Sequence, residues 1–252
     1  PDSVTEIGSY AFSGCSSLTS ISLRDSITYI GDQAFYGCNN LQFSEYDNAL
    51  YLGNSANPYV VSVKAKNQNI TGCTIHPSAK IIYGPAFEDC SSLTSVSIPD
   101  SVTYIGDQAF RGCSSLTSVS IPDSVIYIGS FAFSYCSSLT SVSLPDSVTY
   151  IGDWAFYGCS SLVSLVIPDS VISIGSGAFS DCSFLTSVFY EGTATQWEKI
   201  DIGGYNAPLE EAAVYFYSES EPAEGGGETG YGGNYWRYAE DDVTPMIWKK
   251  EG

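Results

Sequence analysis

The feature that most constrains this chain is an internal repeat. The stretches beginning at Pro99, Pro122 and Pro145 each read close to Pro-Asp-Ser-Val-x-Tyr-Ile-Gly-x-x-Ala-Phe-x-x-Cys-Ser-Ser-Leu-Thr-Ser-Val-Ser-Ile/Leu. The same pattern opens the chain at Pro1, Arg24 stands at the second start, and Pro168 begins the last clear copy. The leading apolar residue of each Leu-x-x-Val-x-Ile segment falls at Leu18, Leu41, Ile70, Leu93, Leu116, Leu139, Leu162 and Leu185. Every step is 23 residues except that from Leu41 to Ile70, which is 29. A period of this length means one structural unit stacked on copies of itself. A single coil buries too few side chains to offset the entropy of ordering its backbone, so only stacking makes the unit stable.

Each coil can be read physically. In Leu116-Thr117-Ser118-Val119-Ser120-Ile121, apolar and small polar residues alternate, which predicts a short strand with one buried face. The next residue, Pro122, has no N–H to donate and ends the strand. Asp123 and Ser124 supply turn chemistry. Val125, Tyr127 and Ile128 predict a second extended segment on the opposite side, and Ala132 and Phe133 pack inward. The expected fold is a repeat solenoid, mainly β, with a parallel sheet and eight coils. Residues 1–217 form the solenoid, with an insertion hairpin at 47–69 and a C-terminal cap at 190–217. The cap includes a short helix near Thr193 to Ile200, with Trp197 over the last coil, and a closing strand from Ala213 to Tyr217. Residues 218–233 read as an acidic, Gly-rich linker, and 234–252 as a small aromatic hairpin or tail.

The Ile-Gly-x-x-Ala-Phe-x-x-Cys-x-x-Leu-x-x-Ile-x-Ile-Pro signature over about residues 1–190 resembles the BspA-like, or Treponema-type, leucine-rich repeats. The resemblance implies a leucine-rich-repeat superhelix used as a non-catalytic scaffold, on a bacterial surface or secreted, with a role in adhesion or host-matrix binding. A carbohydrate-binding or spacer module of a larger cell-surface protein is the alternative. The chain opens mid-pattern at Pro1, which reads as a piece of a longer protein.

Charge narrows the partners. Asp and Glu number 28 against 9 Lys and Arg, a net charge of −19. Nucleic-acid phosphates would be repelled, and so would anionic membranes. No apolar run is long enough to span a bilayer. The partner that the resemblance implies is a protein or extracellular-matrix component.

Seven cysteines, Cys15, Cys38, Cys90, Cys113, Cys136, Cys159 and Cys182, share one repeat position. They are expected to be a buried ladder of reduced thiols behaving as small hydrophobes, with Cys73 in the core of its strand. Side chains in a linear column neither converge on a metal nor suit disulfide torsion. A second column, Asp2, Asp25, Asp100, Asp123, Asp146 and Asp169, reads as turn capping in preference to a calcium ladder. The outward serines, such as Ser118 and Ser120, lack a neighbouring base. A Ser-His-Asp triad would have to use His76, the one histidine. No catalytic, cofactor or metal residues are assigned.

The irregular positions carry the expected partner site. Phe43 and Glu45 stand where outward serines stand in other coils, and the insertion follows. It gathers Tyr46, Tyr51, Tyr59, Lys64 and Lys66 beside them; the alternative is a bulge that hides Phe43 and a hairpin that packs Leu50, Leu52, Val61 and Val63 against the neighbouring coils. At the other end, Val166 and Phe189 replace outward serines and are expected to pack beneath the cap.

Overall fold

The computed structural model describes residues 3–223, 233–241 and 243–249. It is a mainly β solenoid of about ten turns with parallel sheets. The coils are named here by the phenylalanine of their Ala-Phe segment: Phe12, Phe35, then the insertion coil, then Phe87, Phe110, Phe133, Phe156 and Phe179.

The longest sheet is built from the Tyr-Ile segments and not from the serine-faced strands. Its parallel part runs through Val61–Ala65, Ile81–Ile82, Tyr104–Ile105, Tyr127–Ile128, Tyr150–Ile151, Ser173–Ile174 and Asp201–Ile202. On the serine side, Gly72–Thr74 pairs with Ser95–Ser97, and Ser141–Ser143, Ser164–Ile167, Ser187–Tyr190 and Ala213–Tyr217 form a second run. Residues 117–121 are not strand, so the eight-strand sheet expected on that side is interrupted. Glycine explains the tighter Tyr-Ile side. A Cβ on Gly129 would lie 2.5 Å from the backbone carbon of Gly106, and one on Gly152 2.6 Å from that of Gly129. Only a residue without a side chain lets successive coils approach this closely.

The interior is a set of columns. Leu93, Leu116, Leu139 and Leu162 are all fully buried in one core. Phe87, Phe110, Phe133, Phe156 and Phe179 form a continuous stack, ring centroids 5.2–5.4 Å apart and nearly parallel. Tyr104, Tyr127 and Tyr150 stack similarly on the Tyr-Ile side, with Tyr127 and Tyr150 half-buried.

Between coils, the Ala-Phe segment acts as a rung. Gln108, Phe110 and Gly112 donate their N–H groups to the carbonyls of Ser130, Ala132 and Ser134 of the next coil at 2.8–2.9 Å. The outer two donors have φ of 64° and 73°, so each rung is flanked by left-handed residues. The sequence marks the second of these positions with glycine at Gly14, Gly37, Gly112 and Gly158, and tolerates Asp89, Tyr135 and Asp181 there.

The cysteine ladder is observed, with one exception. Cys113, Cys136, Cys159 and Cys182 are fully buried, and each Sγ donates to the phenylalanine carbonyl of the preceding coil at 3.2–3.3 Å. Cys38 makes the same bond to Phe12 at 3.0 Å. Burial pushes the thiols up, Cys90 to about 11 and Cys136 and Cys182 to about 12. Cys15 is exposed, because no described coil covers the outer side of the Phe12 coil. All eight thiols are free.

Among the described residues, Asp25, Asp100, Asp123, Asp146 and Asp169 do not cap their turns as expected; Asp25 accepts from the Asn54 and Asn57 side chains instead. At four of these aspartates the following serine bonds between coils: the Oγ of Ser26, Ser124, Ser147 and Ser170 donates to the carbonyl of Val4, Val102, Val125 and Val148, whereas the buried Ser101 Oγ has no partner among the described residues. The capping carboxylates belong to the position after Ile-Gly. Asp107 Oδ1 accepts from Ser130 N at 2.7 Å, and Asp153 Oδ1 from Ser176 N at 2.8 Å.

The C-terminal end of the stack is closed by Asn206. In regular coils the phenylalanine N–H finds the next coil's alanine carbonyl. Phe179 has no such neighbour, and its N–H bonds to Asn206 Oδ1 at 3.0 Å, while Nδ2 donates to Gly175 O and Gly203 O. Asn206 is fully buried. Beside it, Thr193 and Gln196 form a capping box on the short helix Ala194–Trp197, and Trp197 packs edge-on against Tyr190.

Beyond Tyr217, the strand Tyr235–Tyr238 pairs with Ala213–Tyr217 and with Pro245–Ile247. Trp236 is fully buried against Val166 and Phe189, and its Nε1 donates to Tyr190 O at 2.9 Å. The two large residues that replace outward serines therefore form the seat of a tryptophan. Much of the span read as a linker, residues 224–232, lies outside the described residues, as do residues 250–252 of the tail.

Candidate interaction site

The insertion is a three-stranded antiparallel meander: Ser44–Tyr46, Ala49–Leu52 and Val61–Ala65. The turn at 53–58 is fixed by Asn54, whose Oδ1 accepts from the N–H groups of Ala56 and Asn57 at 2.9 Å. The last strand of the meander takes the Tyr-Ile position of the missing coil and pairs with Ile81–Ile82.

The meander is a wall with a core on each side. Ala49 and Tyr51 belong to the main core with Ile75, Phe87 and the later columns. Leu52, Val61 and Val63 belong to a second core with Ile30, Ala34, Phe35 and Leu41 of the first two coils. Alternation along a strand sends successive side chains to opposite faces, and here both faces are buried. The cause of the separation is legible in the glycine column. Continuing the register of Val61 with Ile81 and Tyr104, Val63 and Tyr83 stand where the regular coils have glycine. Their side chains need the space that a tightly stacked coil would fill. Accordingly, Tyr29–Ile30 pairs only with Glu6–Ile7 and does not join the long sheet.

The wall divides the expected site residues into three sets. Tyr51 is 1 % exposed, and its hydroxyl accepts from His76 N at 3.1 Å. It cannot present its ring to a partner, which corrects its place in the expected site. Both faces of its strand are covered, so the strand has no solvent side to present it on.

Tyr46 and Tyr59 lie together on one side with His76. The His76 ring stacks on Tyr59 at 3.8 Å, and Tyr46 meets it edge-on at 4.6 Å. Burial lowers the imidazole's pKa, and Nδ1 accepts from Ser78 N at 3.0 Å. Nδ1 is thus engaged as an acceptor within the fold. A cleft of about 530 Å³ opens beside it, lined by Asp25, Asn57, Tyr59, His76, Ser78 and Lys80 among others.

Phe43, Glu45, Lys64 and Lys66 make the third set. Lys64 Nζ sits 4.6 Å over the Phe43 ring, and Lys66 pairs with Glu45 at 2.9 Å. Phe43 is half-buried, and both lysines and Glu45 are exposed. Phe43 and Lys64 line a second cleft of about 410 Å³, between the Phe35 and Phe87 coils, with Phe35, Leu41, Val63, Tyr83 and Glu88. No group of three or more metal-ligating side chains occurs among the described residues.

Residues 1–58 and 64–199 match the model of the BspA type leucine rich repeat region, in six copies. The chain belongs to the BspA-type leucine-rich-repeat family. Its structure resembles that of a leucine-rich cell surface protein from Faecalibacterium prausnitzii, with 35 % identity and a TM-score of 0.61, covering 80 % of this chain and 55 % of that one. It also resembles the leucine-rich-repeat protein of T. pallidum, with 26 % identity and a TM-score of 0.54, covering 70 % of this chain and 86 % of that one. A leucine-rich-repeat protein from Eubacterium ventriosum, 24 % identical with a TM-score of 0.57, shares the fold over 91 % of this chain and 67 % of its own. The chain thus spans about half the length of the F. prausnitzii protein. No curated protein matches it. This BspA-type architecture is that of a protein-interaction scaffold. No helix among the described residues is long and apolar enough to cross a membrane.

Proposed function

We propose that the protein is a non-catalytic scaffold, displayed on a cell surface or secreted, that binds a protein or extracellular-matrix partner in an adhesive role. The observation that carries this reading is the contrast between its two kinds of surface. The regular coils present exposed serines such as Ser118, Ser120, Ser141 and Ser143, a surface with little to distinguish one partner from another. Binding energy concentrates in a few aromatic and cationic anchors, and the insertion supplies Phe43, Tyr46, Tyr59, Lys64 and Lys66. The description of the F. prausnitzii relative as a cell surface protein supports the location.

The test replaces residues 47–69 so that the insertion coil becomes a plain 23-residue coil copied from the Pro99 repeat. Wild type and variant are assayed against a panel of purified matrix proteins. Binding by the wild type, with loss of at least about tenfold in affinity in a folded variant, is the expected result. A folded variant that keeps full affinity places the interface elsewhere.

A carbohydrate ligand is the second reading, favoured by the stacked Tyr59 and His76 rings beside Asp25, Asn57 and Lys80. A glycan array on the purified chain separates the two: defined sugar binding lost in Tyr59→Ala supports the second reading.

A further inference from the structure

The Phe35 coil carries a complete rung whose downstream edge has no backbone acceptor among the described residues. In the Phe12 coil, Tyr10, Phe12 and Gly14 donate to the carbonyls of Asp32, Ala34 and Tyr36 at 2.8–2.9 Å. That satisfies the upstream edge of the Phe35 rung. On its downstream edge, the equivalent donors are the N–H groups of Gln33, Phe35 and Gly37. Among the described residues, those of Gln33 and Gly37 have no acceptor, and that of Phe35 has only the Tyr83 hydroxyl at 3.5 Å. The rung is nonetheless built as the others are. Gln33 and Gly37 have φ of 49° and 74°, against 64° and 73° at the bonded Gln108 and Gly112.

The missing acceptor follows from the insertion. Instead of an Ala-Phe rung, the insertion coil runs from Lys64 straight to Ile70. Its Ala65 N–H donates to Ala86 O of the Phe87 coil at 2.7 Å, so the downstream neighbour is partly served while the upstream one is not. The vacated space is the cleft of about 410 Å³, and Gln33, Phe35 and Gly37 all line it. Lys64 also lines it. Its ammonium lies over the Phe43 ring and adds positive charge to this edge of a chain whose net charge is −19.

We propose that this slot binds an acidic peptide segment of a partner protein in the turn conformation of a rung, whose three alternate carbonyl oxygens accept hydrogen bonds from the N–H groups of Gln33, Phe35 and Gly37. This inference rests on the scaffold reading and deepens it. The regular stack states what such a segment looks like. The accepting carbonyls belong to residues i, i+2 and i+4, as at Ser176, Ala178 and Ser180, which accept from Trp154, Phe156 and Gly158 at 2.8–2.9 Å. Residue i+1 is left-handed, as at Gly177 with φ 63°, which favours glycine. Residue i+2 is small, as at Ala178. A carboxylate near the segment complements Lys64. Main-chain bonds to an open edge supply the affinity, and alternate side chains the selectivity.

The probe is a terminally blocked heptapeptide, Asp-Ser-Gly-Ala-Phe-Ser-Gly, which reproduces the rung of residues 176–180 behind an acidic residue. Amide hydrogen exchange is followed residue by residue in the whole chain by NMR. In the free protein, Gln33 and Gly37 should exchange at least about a hundredfold faster than Gln108 and Gly112, because only the latter are bonded. Millimolar probe should slow Gln33, Phe35 and Gly37 at least about fivefold, leaving the exposed edge near Tyr46 unchanged. Lys64→Glu should weaken probe binding about tenfold without altering exchange in the Phe110 to Phe179 coils. Exchange at Gln33 and Gly37 as slow as at Gln108 and Gly112 in the free protein overturns the proposal, and so does a probe that leaves those amides unchanged. Slowing that depends on protein concentration and needs no probe assigns the slot to a second copy of this chain, which also overturns it. Loss of partner binding on shortening the insertion, with no effect of the probe on the rung, leaves the scaffold reading standing and removes the slot.

Discussion

The stack from Phe87 to Phe179 and the pair of coils at Phe12 and Phe35 have nearly the same repeat sequence and different structures. In the long stack, five phenylalanine rings follow one another at 5.2–5.4 Å and all are fully buried. In the pair, Phe12 and Phe35 stack at 5.6 Å, the column then meets Tyr83 edge-on, and Phe12 stays half-exposed. A coil's stability therefore belongs to its neighbours as much as to its own residues, as expected of a quasi-one-dimensional repeat. Val63 of the insertion coil and Tyr83 of the Phe87 coil, standing where the regular coils have glycine, turn one array into two cores.

Thiol labelling sharpens this contrast most. Cys15 should react at once in the folded protein. Cys113, Cys136, Cys159 and Cys182 should react at least about a thousandfold more slowly, at the rate of opening of the stack. Cys38, buried but in the smaller core, should fall between. Mass spectrometry of timed alkylation reads the order. Uniform reactivity across Cys38 and Cys136 would show that both regions open together and erase the distinction.

Truncation of the phenylalanine column is the next largest effect. Phe133→Ala should cost about 3–5 kcal/mol, as for fully buried aromatics. Phe12→Ala should cost roughly 1–2 kcal/mol, since its ring is only partly buried. Tyr127→Ala should fall between them, because its ring is half-buried in the tyrosine stack. Urea unfolding of the three variants decides it, and equal losses at Phe133 and Phe12 break the comparison.

The smallest of these effects tests how an array is ended. At the C-terminal end, Asn206 supplies the acceptor for Phe179 N–H at 3.0 Å; at the Phe35 rung the Tyr83 hydroxyl reaches Phe35 N–H at 3.5 Å, and Gln33 and Gly37 N–H have no acceptor among the described residues. Asn206→Ala should cost about 1–3 kcal/mol by leaving buried backbone groups unsatisfied. Adding a carbonyl-bearing ligand at the Phe35 rung should raise stability, and adding it to the Asn206 end should not. Thermal melts of Asn206→Ala unchanged from wild type would show that the end of the stack frays without penalty.

Much of this was legible in the residues. The spacing of Leu93, Leu116, Leu139 and Leu162 established the coil and its inward face, because only one rotation per 23 residues buries that column. The shared position of the cysteines read as a buried ladder, and holds from Cys38 onward. The substitutions Val166 and Phe189 signalled something packed above them. The expected site was read less completely. Phe43, Lys64 and Lys66 reach the surface, whereas Tyr51 is sealed in the main core.

The sequence by itself determined the period, the composition of each column and the place where the period breaks, because these are local and repeated. The tertiary structure decided what lies beside each break. Only in three dimensions does the meander become a wall, Trp236 find Tyr190 O from 46 residues away, and Asn206 meet Phe179. The physical reason is that a backbone N–H or a ring face is satisfied by whatever the stack brings within bonding distance, and a repeat pattern records the donors without naming the acceptor where the pattern stops.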